Sequence, residues 1–477
     1  MKRIICLILC ILMLVSSMVS CKKEEPVAPA ESTAESTQVD MSNVCEVPDT
    51  DEWRDKEFRV WKNEYSKTDM LSEGINGEVI NDAVFKRNAL VQDKYGIKIT
   101  FVEGSNMLAV FSAGDDAFEL YGHKYSGMNE AILNGVCIDL EKLTYMATEK
   151  SWWNTDLIDS FEIGGKKMVF SGDFSQRIMD YSWCIMVNKK MAAENGFGDE
   201  IYSTVHEGKW TFEKLKQNCI NVTTDSSGDG VLDHLDTWGF LSSKNVATAL
   251  MTSSGIKTVE HDSKGNLKFN LNNATSIEKL EEIWKFSADS SFQLKAQSIV
   301  SGNDIYKEST KIFNEGRALY KASVMKEVMN NASNVKDGYA LVPMPKYNED
   351  QENYISTFQA HSSGTYIVPR TVTNKDFVSA VLEYMCYCST DTVRTAYYDT
   401  VLQGRAAKDP ESVKMLDLIF ATATTDLGLH LGVASLRDLV DKILNSNANI
   451  IASEISGIAE KATTELYKYE NSVKVFG

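Results

Sequence analysis

From Glu57 onward the apolar residues of this chain change their spacing repeatedly, from every second residue to every third or fourth and back. "EFRVWKN" alternates as a strand does, "INGEVINDAVFKRNALVQDKYG" carries its apolar residues at helical spacing and stops at Gly96, and "IKITFVE" alternates again. Side chains alternate faces along a strand and recur about every 3.6 residues on a helix, so the switch fixes the type of each element. A strand, a helix and a second strand in that order predict a right-handed βαβ unit, and with it an α/β sheet. The pattern continues. "DAFELYG" reads as a third strand and "NEAILNGVCIDLEKL" as a helix with a turn. "GGKKMVFSGDF" and "YSWCIMVNKKMAAENG" read as strand, crossing segment, strand and helix, and "WTFEKLKQNCINV" as another helix. Later stretches give helices from "ATSIEKLEEIWKFSADS" and "NKDFVSAVLEYMCYCS", strands from "YALVPMPK" and "GTYIVPR", and helix, strand and helix from "ESTKIFNEGRALYKASVMKEV". No internal repeat is present.

The start of the chain has a different character. In "MKRIICLILCILMLVSSMVSCKKEEP", Lys2 and Arg3 precede an uncharged run from Ile4 to Ser20 that ends at Cys21. This arrangement makes residues 1–20 a secretory signal peptide and resembles a bacterial lipobox, with Cys21 as the acylated residue and Met18 where leucine is usual. Acyl chains contribute about 0.8 kcal/mol per buried methylene, so two of them anchor a protein stably. The expected location is extracytoplasmic, tethered to the cell membrane through Cys21. Residues 21–51, rich in Pro, Ala, Ser, Thr and Glu, bury too little to offset the entropy of ordering them and should form a disordered linker. The formal net charge is −18. With no basic stripe to neutralise phosphates, nucleic acid is excluded as a partner. The remaining length suffices for two lobes with separate cores, and no second apolar run is long enough to cross a membrane. Of the cysteines that follow Cys21, at 45, 137, 184, 219, 386 and 388, none stands in a zinc pattern. Cys386 and Cys388 point to different sides of one helix, so buried free thiols are expected.

One loop carries a metal pattern. "DSSGDGVLDHLD" puts Asp225, Ser227 and Asp229 at positions one, three and five of a calcium loop, Gly230 at six, the Val231 carbonyl at seven, Asp233 at nine and Asp236 at twelve. Aspartate at twelve is shorter than the usual glutamate, and the following "TWGF" reads as a strand, not a helix. Two readings stand: a structural calcium that stiffens the loop, or an acidic surface turn without metal. No other cofactor is expected.

In the order "YSWCIMVNKKMAAENGF…KWTFEKLKQ", "DSSGDGVLDHLDTWGF", "IFNEGRALYKAS", "GYALVPMPKYNED" and "GTYIVPRTVTNKDFVSAVLEYM", the chain resembles the extracellular solute-binding proteins of ABC importers, in the carbohydrate branch that includes maltose-binding protein. The resemblance implies a two-lobed, periplasmic-binding-protein-like α/β fold of type II, with a hinge and a ligand cleft between the lobes. It implies a monomer that captures a carbohydrate, an oligosaccharide, and hands it to the permease subunits of the transporter. The lobes should be discontinuous: 52–178 with 358–405, and 180–355 with 410–477, the last stretch including helices that pack on the hinge. Two departures stand out. Phe118-Glu119-Leu120 replaces a Tyr-Asp-Leu-like triplet, and Val324-Met325-Lys326 stands where the family often presents a tryptophan.

Sugars offer flat C–H faces and many hydroxyls, so aromatic side chains beside Asp, Glu, Gln, His and Lys suit them. Glu64 and Tyr65 follow the first strand, and His123, Lys124 and Tyr125 follow the third, both at carboxyl ends of strands where α/β sheets bind ligands. Trp153 comes from "SWWNTD", Asp173 and Trp183 from the crossing segment "SGDFSQRIMDYSW", Met325 from the end of the "ALYKASV" strand, and Gln359 and His361 from "STFQAHSSG". These eleven are the expected ligand contacts. Trp53, Trp210, Trp238 and Trp284 are assigned to packing. No Gly-x-Ser-x-Gly, His-Glu-x-x-His, phosphate loop or Cys-x-x-Cys is present, so a catalytic role is not expected. The alternatives are a receptor that feeds a sensor system, or a secreted glycoside hydrolase with Glu64 and Asp173 as its carboxylates.

Overall fold

The computed structural model describes residues 44–477 apart from Glu73, 300–304, 332–333, 360–361, 363, 402–409 and Gly477. The signal peptide, Cys21 and most of the linker therefore lie outside the described residues, as do His361 and the side chain of Tyr125.

The chain enters the first lobe through β1 (Glu57–Trp61), α1 (Glu64–Met70), α2 (Val79–Tyr95) and β2 (Lys98–Val102). β1 and β2 run parallel, from Glu57 opposite Lys98 to Trp61 opposite Val102, which is the βαβ unit expected from the switching period. α2 stops where Gly96 takes φ 63°, a left-handed conformation that costs glycine nothing. β3 (Tyr121–His123) and α3 (Tyr125–Leu133) follow, and Leu120 pairs in parallel with Val60. The strand expected within "GGKKMVFSGDF" forms only single bridges, Ile163 with Lys166, Phe170 with Tyr366 and Trp153 with Gly172. Gly164 and Gly165, at φ 60° and 76°, turn the chain there instead of extending it.

After α4 (Gln176–Tyr181), the second lobe is built from β4 (Trp183–Asn188), β5 (Trp238–Ser242), α5 (Lys244–Ser253), β6 (Gln293–Lys295), β7 (Ala318–Val324), α6 (Met325–Asn331) and β8 (Tyr339–Val342). Its sheet has the order β8-β4-β7-β5-β6. β5, β6 and β7 are parallel, whereas β4 is antiparallel to β7 and begins where β7 ends, with Trp183 opposite Val324. β4 is buried at every position, which explains why "WCIMVN" does not alternate.

The chain then returns through β9 (Ser356–Thr357), β10 (Thr365–Ile367), α7 (Lys375–Ser389) and β11 (Ala423–Thr424). β10 lies antiparallel to β3 in the first lobe. β9 pairs with β11, the Gln359 N–H donates to the Tyr181 carbonyl at 3.0 Å, and the Phe358 N–H donates to the Thr424 carbonyl at 3.1 Å. Three passes of chain, near 181–183, 356–359 and 422–424, thus lie side by side between the sheets. Finally α8 (Leu436–Leu444) and α9 (Ile451–Phe476) close the structure. α9 serves both halves: Ser472 donates to the Ile132 carbonyl at 2.8 Å in the first lobe, and Glu470 accepts from the Leu267 N–H in the second. Cys45, Cys137, Cys184, Cys219, Cys386 and Cys388 are free thiols, all but Cys45 buried. Among the described residues no helix is long and apolar enough to cross a membrane.

Candidate ligand-binding cleft

Because β5, β6 and β7 end on the side where β4 starts, their termini converge beside the three crossing passes. A cavity of about 340 Å³ opens there, walled by Tyr181 and Trp183, with Ser243 and Asn245 from the start of α5 and Gln359 from the crossing pass. Its floor is polar. Lys321 projects from β7 with Nζ 3.0 Å from Glu327 Oε2 and 3.2 Å from the Ser323 hydroxyl. Glu327 also accepts from Ser323 at 2.7 Å and from Thr310 at 2.8 Å. Burial opposes ionisation of Glu327, but the Lys321 ammonium and the two hydroxyls outweigh it and hold the carboxyl below its ordinary range. Lys326, on α6, reaches the cavity and lies 3.3 Å from Asp180. A narrower compartment adjoins this cavity. It shares Trp183, Asn245 and Gln359 and continues to Thr248, Arg437 and Asp441.

The first lobe reaches the cavity through a stack of planar groups. The Arg177 guanidinium lies 4.5 Å from the Tyr65 ring centroid and 5.5 Å from that of Tyr181, and it donates to the Ser362 carbonyl at 2.7 Å. On its far side Tyr65 meets His123, with ring centroids 5.0 Å apart. Asn63 fixes this corner. Its amide oxygen caps α1 by accepting from the Tyr65 and Ser66 N–H groups, and its amide nitrogen donates to the Gly122 carbonyl at 2.6 Å. Burial holds the His123 imidazole below its ordinary range.

Of the expected contacts, Trp183 and Gln359 line the cavity itself, and Tyr65 and His123 approach it behind Arg177. Glu64 is exposed at the first turn of α1, where a carboxylate suits the helix dipole, and Lys124 precedes α3. Three assignments need correction. Trp153 is buried, and its indole N–H donates to Glu383 at 2.7 Å beside that of Trp152 at 3.0 Å. Asp173 does not line the cavity; its carboxylate accepts from Thr390 at 2.7 Å and from Arg394 at 3.4 Å. Met325 is wholly buried at the start of α6, and its N–H donates to the Ser182 carbonyl. Lys321, Lys326 and Glu327 were absent from the expected set, although Lys321 and Ser323 are polar residues two apart in an otherwise apolar strand. A wider groove of about 740 Å³, on another part of the second lobe, lies between Phe212, Trp284 and Tyr347. Four of its polar groups are engaged with one another, in the 2.9 Å pair of Lys216 and Asp289 and the bond from Tyr347 to Glu282.

The acidic loop folds on itself. Asp236 accepts from the N–H groups of Ser226, Ser227 and Asp233, which hold its carboxyl below the ordinary range. Asp225 accepts from Gly228 and Gly230, Asp229 from Val231, and Asp233 from Leu235. Among the described residues no three His, Cys, Asp or Glu side chains converge as a metal site. As placed, the carboxylates of Asp225, Asp229, Asp233 and Asp236 accept from N–H groups of the loop itself.

No family model and no curated protein matches the chain. Solved structures do share its fold. Mycobacterium tuberculosis UspC is 12% identical, with a TM-score of 0.55 over 86% of this chain and 99% of that one. An extracellular solute-binding protein from Staphylococcus aureus in complex with maltose is 10% identical, with a TM-score of 0.52 over 86% and 98%. An ABC substrate-binding protein from Listeria monocytogenes in complex with cycloalternan is 12% identical, with a TM-score of 0.51 over 87% and 99%. At these identities the likeness is one of fold: two α/β lobes around a cleft.

Proposed function

We propose that this chain is an extracytoplasmic solute-binding protein, anchored through lipidated Cys21, that captures a carbohydrate and delivers it to the permease subunits of an ABC importer. It acts as a monomer and catalyses no reaction. The observation that carries this reading is the cavity at the three-pass hinge, where Tyr181 and Trp183 stand over a floor of hydroxyl, amide and charged groups. Aromatic faces suit sugar C–H surfaces, and planar polar groups suit hydroxyls. Rotation about a few crossing segments would close the lobes on a ligand. The solute-binding proteins that share the fold, with maltose and cycloalternan bound, support the same class.

A panel of mono- and oligosaccharides, peptides and polyols, read by thermal stabilisation, tests the proposal. A ligand at a hundredfold over its Kd adds about 2.7 kcal/mol if it binds only the folded state. Trp183→Ala and Tyr181→Ala are each expected to weaken binding by about 1–3 kcal/mol. Unchanged affinity in both variants would put the ligand elsewhere, and a response to peptides alone would overturn the carbohydrate assignment.

No cofactor is required in this reading, and the 225–236 loop is held by its own hydrogen bonds. Chelator is expected to leave the melting temperature unchanged, whereas Asp236→Ala, which leaves three N–H groups without their acceptor, is expected to lower it. A fall on chelation that calcium restores would make the loop a calcium staple instead.

A further inference from the structure

The charge around the cleft runs against that of the whole chain. The protein carries a formal net charge of −18, yet the residues at the cavity and its rim are predominantly cationic. Lys321 and Lys326 reach the cavity itself. Arg177 stacks on Tyr181, one of its walls. Lys244 sits between the lining residues Ser243 and Asn245, and Lys295 immediately precedes the lining residue Ala296. Asn445 touches both residues: its amide nitrogen donates to the Lys244 main-chain carbonyl at 3.3 Å and its amide oxygen accepts from Lys295 Nζ at 3.5 Å. Burial, and next the charge of Lys244, push the Lys295 ammonium below its ordinary range.

Against these five cations stand three carboxylates: Glu327 beside Lys321, Asp180 beside Lys326, and the buried Asp69, which accepts from the Arg177 main-chain N–H at 3.0 Å. Asp180 is 4% exposed while Lys326 keeps 41% of its side chain in solvent, so the positive member of that pair is the one presented to the cleft. Among the described residues Arg177, Lys244 and Lys295 have no carboxylate at ion-pair distance; the Arg177 guanidinium is bonded to a carbonyl. Arg437 and Asp441 in the adjoining compartment contribute one charge of each sign, as do Lys124 and Glu64 on the first-lobe side. Like charges near one another without an acid between them repel, and a low-dielectric surrounding strengthens that repulsion. An arrangement of this kind is stabilised when a solute brings the missing negative charge, and a cleft lined by one sign concentrates the field on it.

We infer that the solute is an anionic oligosaccharide, one whose rings bear carboxylate or sulfate groups that settle between Lys326, Lys244, Lys295 and Arg177. The inference rests on the carbohydrate reading above and narrows it. Calorimetry on the full chain with neutral, uronate-containing and sulfated oligosaccharides of matched length is the test, at low and at high salt. An anionic member is expected to bind about tenfold or more tightly than its neutral counterpart, and the preference should shrink as salt rises. The response of the uronate or the sulfated arm identifies the anionic group. In the Lys244→Gln, Lys295→Gln double variant the preference should fall several-fold while the melting temperature holds or rises, because two like charges have been removed. Equal affinity for the neutral counterpart, or a preference that survives both salt and the double substitution, would overturn the inference and leave the carbohydrate reading standing. Binding of no saccharide of any class would overturn both.

Discussion

Replacing Glu327 with alanine is expected to lower the stability of the protein by about 3 kcal/mol, read from urea unfolding. The Lys321 side chain is 3% exposed, and without Glu327 its ammonium keeps only the Ser323 hydroxyl at 3.2 Å. Removing one member of a buried ion pair costs roughly 3–5 kcal/mol, mostly from the charge left behind. The lower end applies because the Glu327 side chain is still 19% exposed. The origin of the loss can be separated from the loss of contacts in α6. In Lys321→Met with Glu327→Leu no buried charge remains, and the double variant should return to within about 1 kcal/mol of the parent. A loss below about 1 kcal/mol in Glu327→Ala would mean that water reaches Lys321 and that the cleft floor is solvated. The pH dependence has a definite sign. The folded-state carboxyl of Glu327 lies below its ordinary range, so its contribution is present above the unfolded value and is lost as pH falls through the folded one.

Elements were legible where local pattern and local chemistry agree. β1, α2 and β2 follow from the switching period and from Gly96, which ends α2 without help from distant residues. The run after Gly165 shows the limit. "KKMVF" has the composition of a strand, but the paired glycines before it form a turn, and only Lys166 and Phe170 make isolated bridges. The cleft was legible where topology dictated it. Trp183 and Gln359 lie on the crossing segments and must therefore stand near the junction of the lobes. Trp153, Asp173 and Met325 were misplaced because their partners are distant in sequence. Glu383, more than two hundred residues beyond Trp153, takes both indole N–H groups and the Ala147 N–H. Arg394 and Thr390 likewise take Asp173. An acid or a tryptophan in a crossing segment looks functional until the group that satisfies it is known. The polar floor was hidden for the opposite reason. Lys321, Lys326 and Glu327 are unremarkable one by one, and only the fold at the end of β7 gathers them at one cavity.

His430 should dominate the acid side of the stability profile. Between pH 6.5 and about pH 3, the parent is expected to lose up to about 1.4 kcal/mol per pH unit relative to His430→Leu. The imidazole is 1% exposed, neither ring nitrogen has a hydrogen-bond partner, and the Phe161 ring meets it edge-on at 4.5 Å. Burial pushes its pKa down to about 3. Above pH 6.5 both folded and unfolded chains are neutral at this site and stability does not depend on it. Below that, the unfolded chain takes up a proton that the folded chain refuses, and stability falls until the folded imidazole titrates. Buried carboxyls act in the other direction. Burial raises Glu383 to about 7 and Asp69 and Asp173 to about 6. Each therefore favours the folded state most at low pH and loses that contribution as pH rises through its folded value. The parent curve alone would blur these opposing slopes between pH 7 and 4, and the difference between parent and His430→Leu isolates the histidine. A difference curve that stays flat from pH 7 to 4 would show that the imidazole is hydrated or partnered in solution. A slope confined to the range below pH 6.5 would confirm an uncompensated buried histidine, and would predict that the parent unfolds steeply once pH drops below about 4, where the carboxyls no longer offset it.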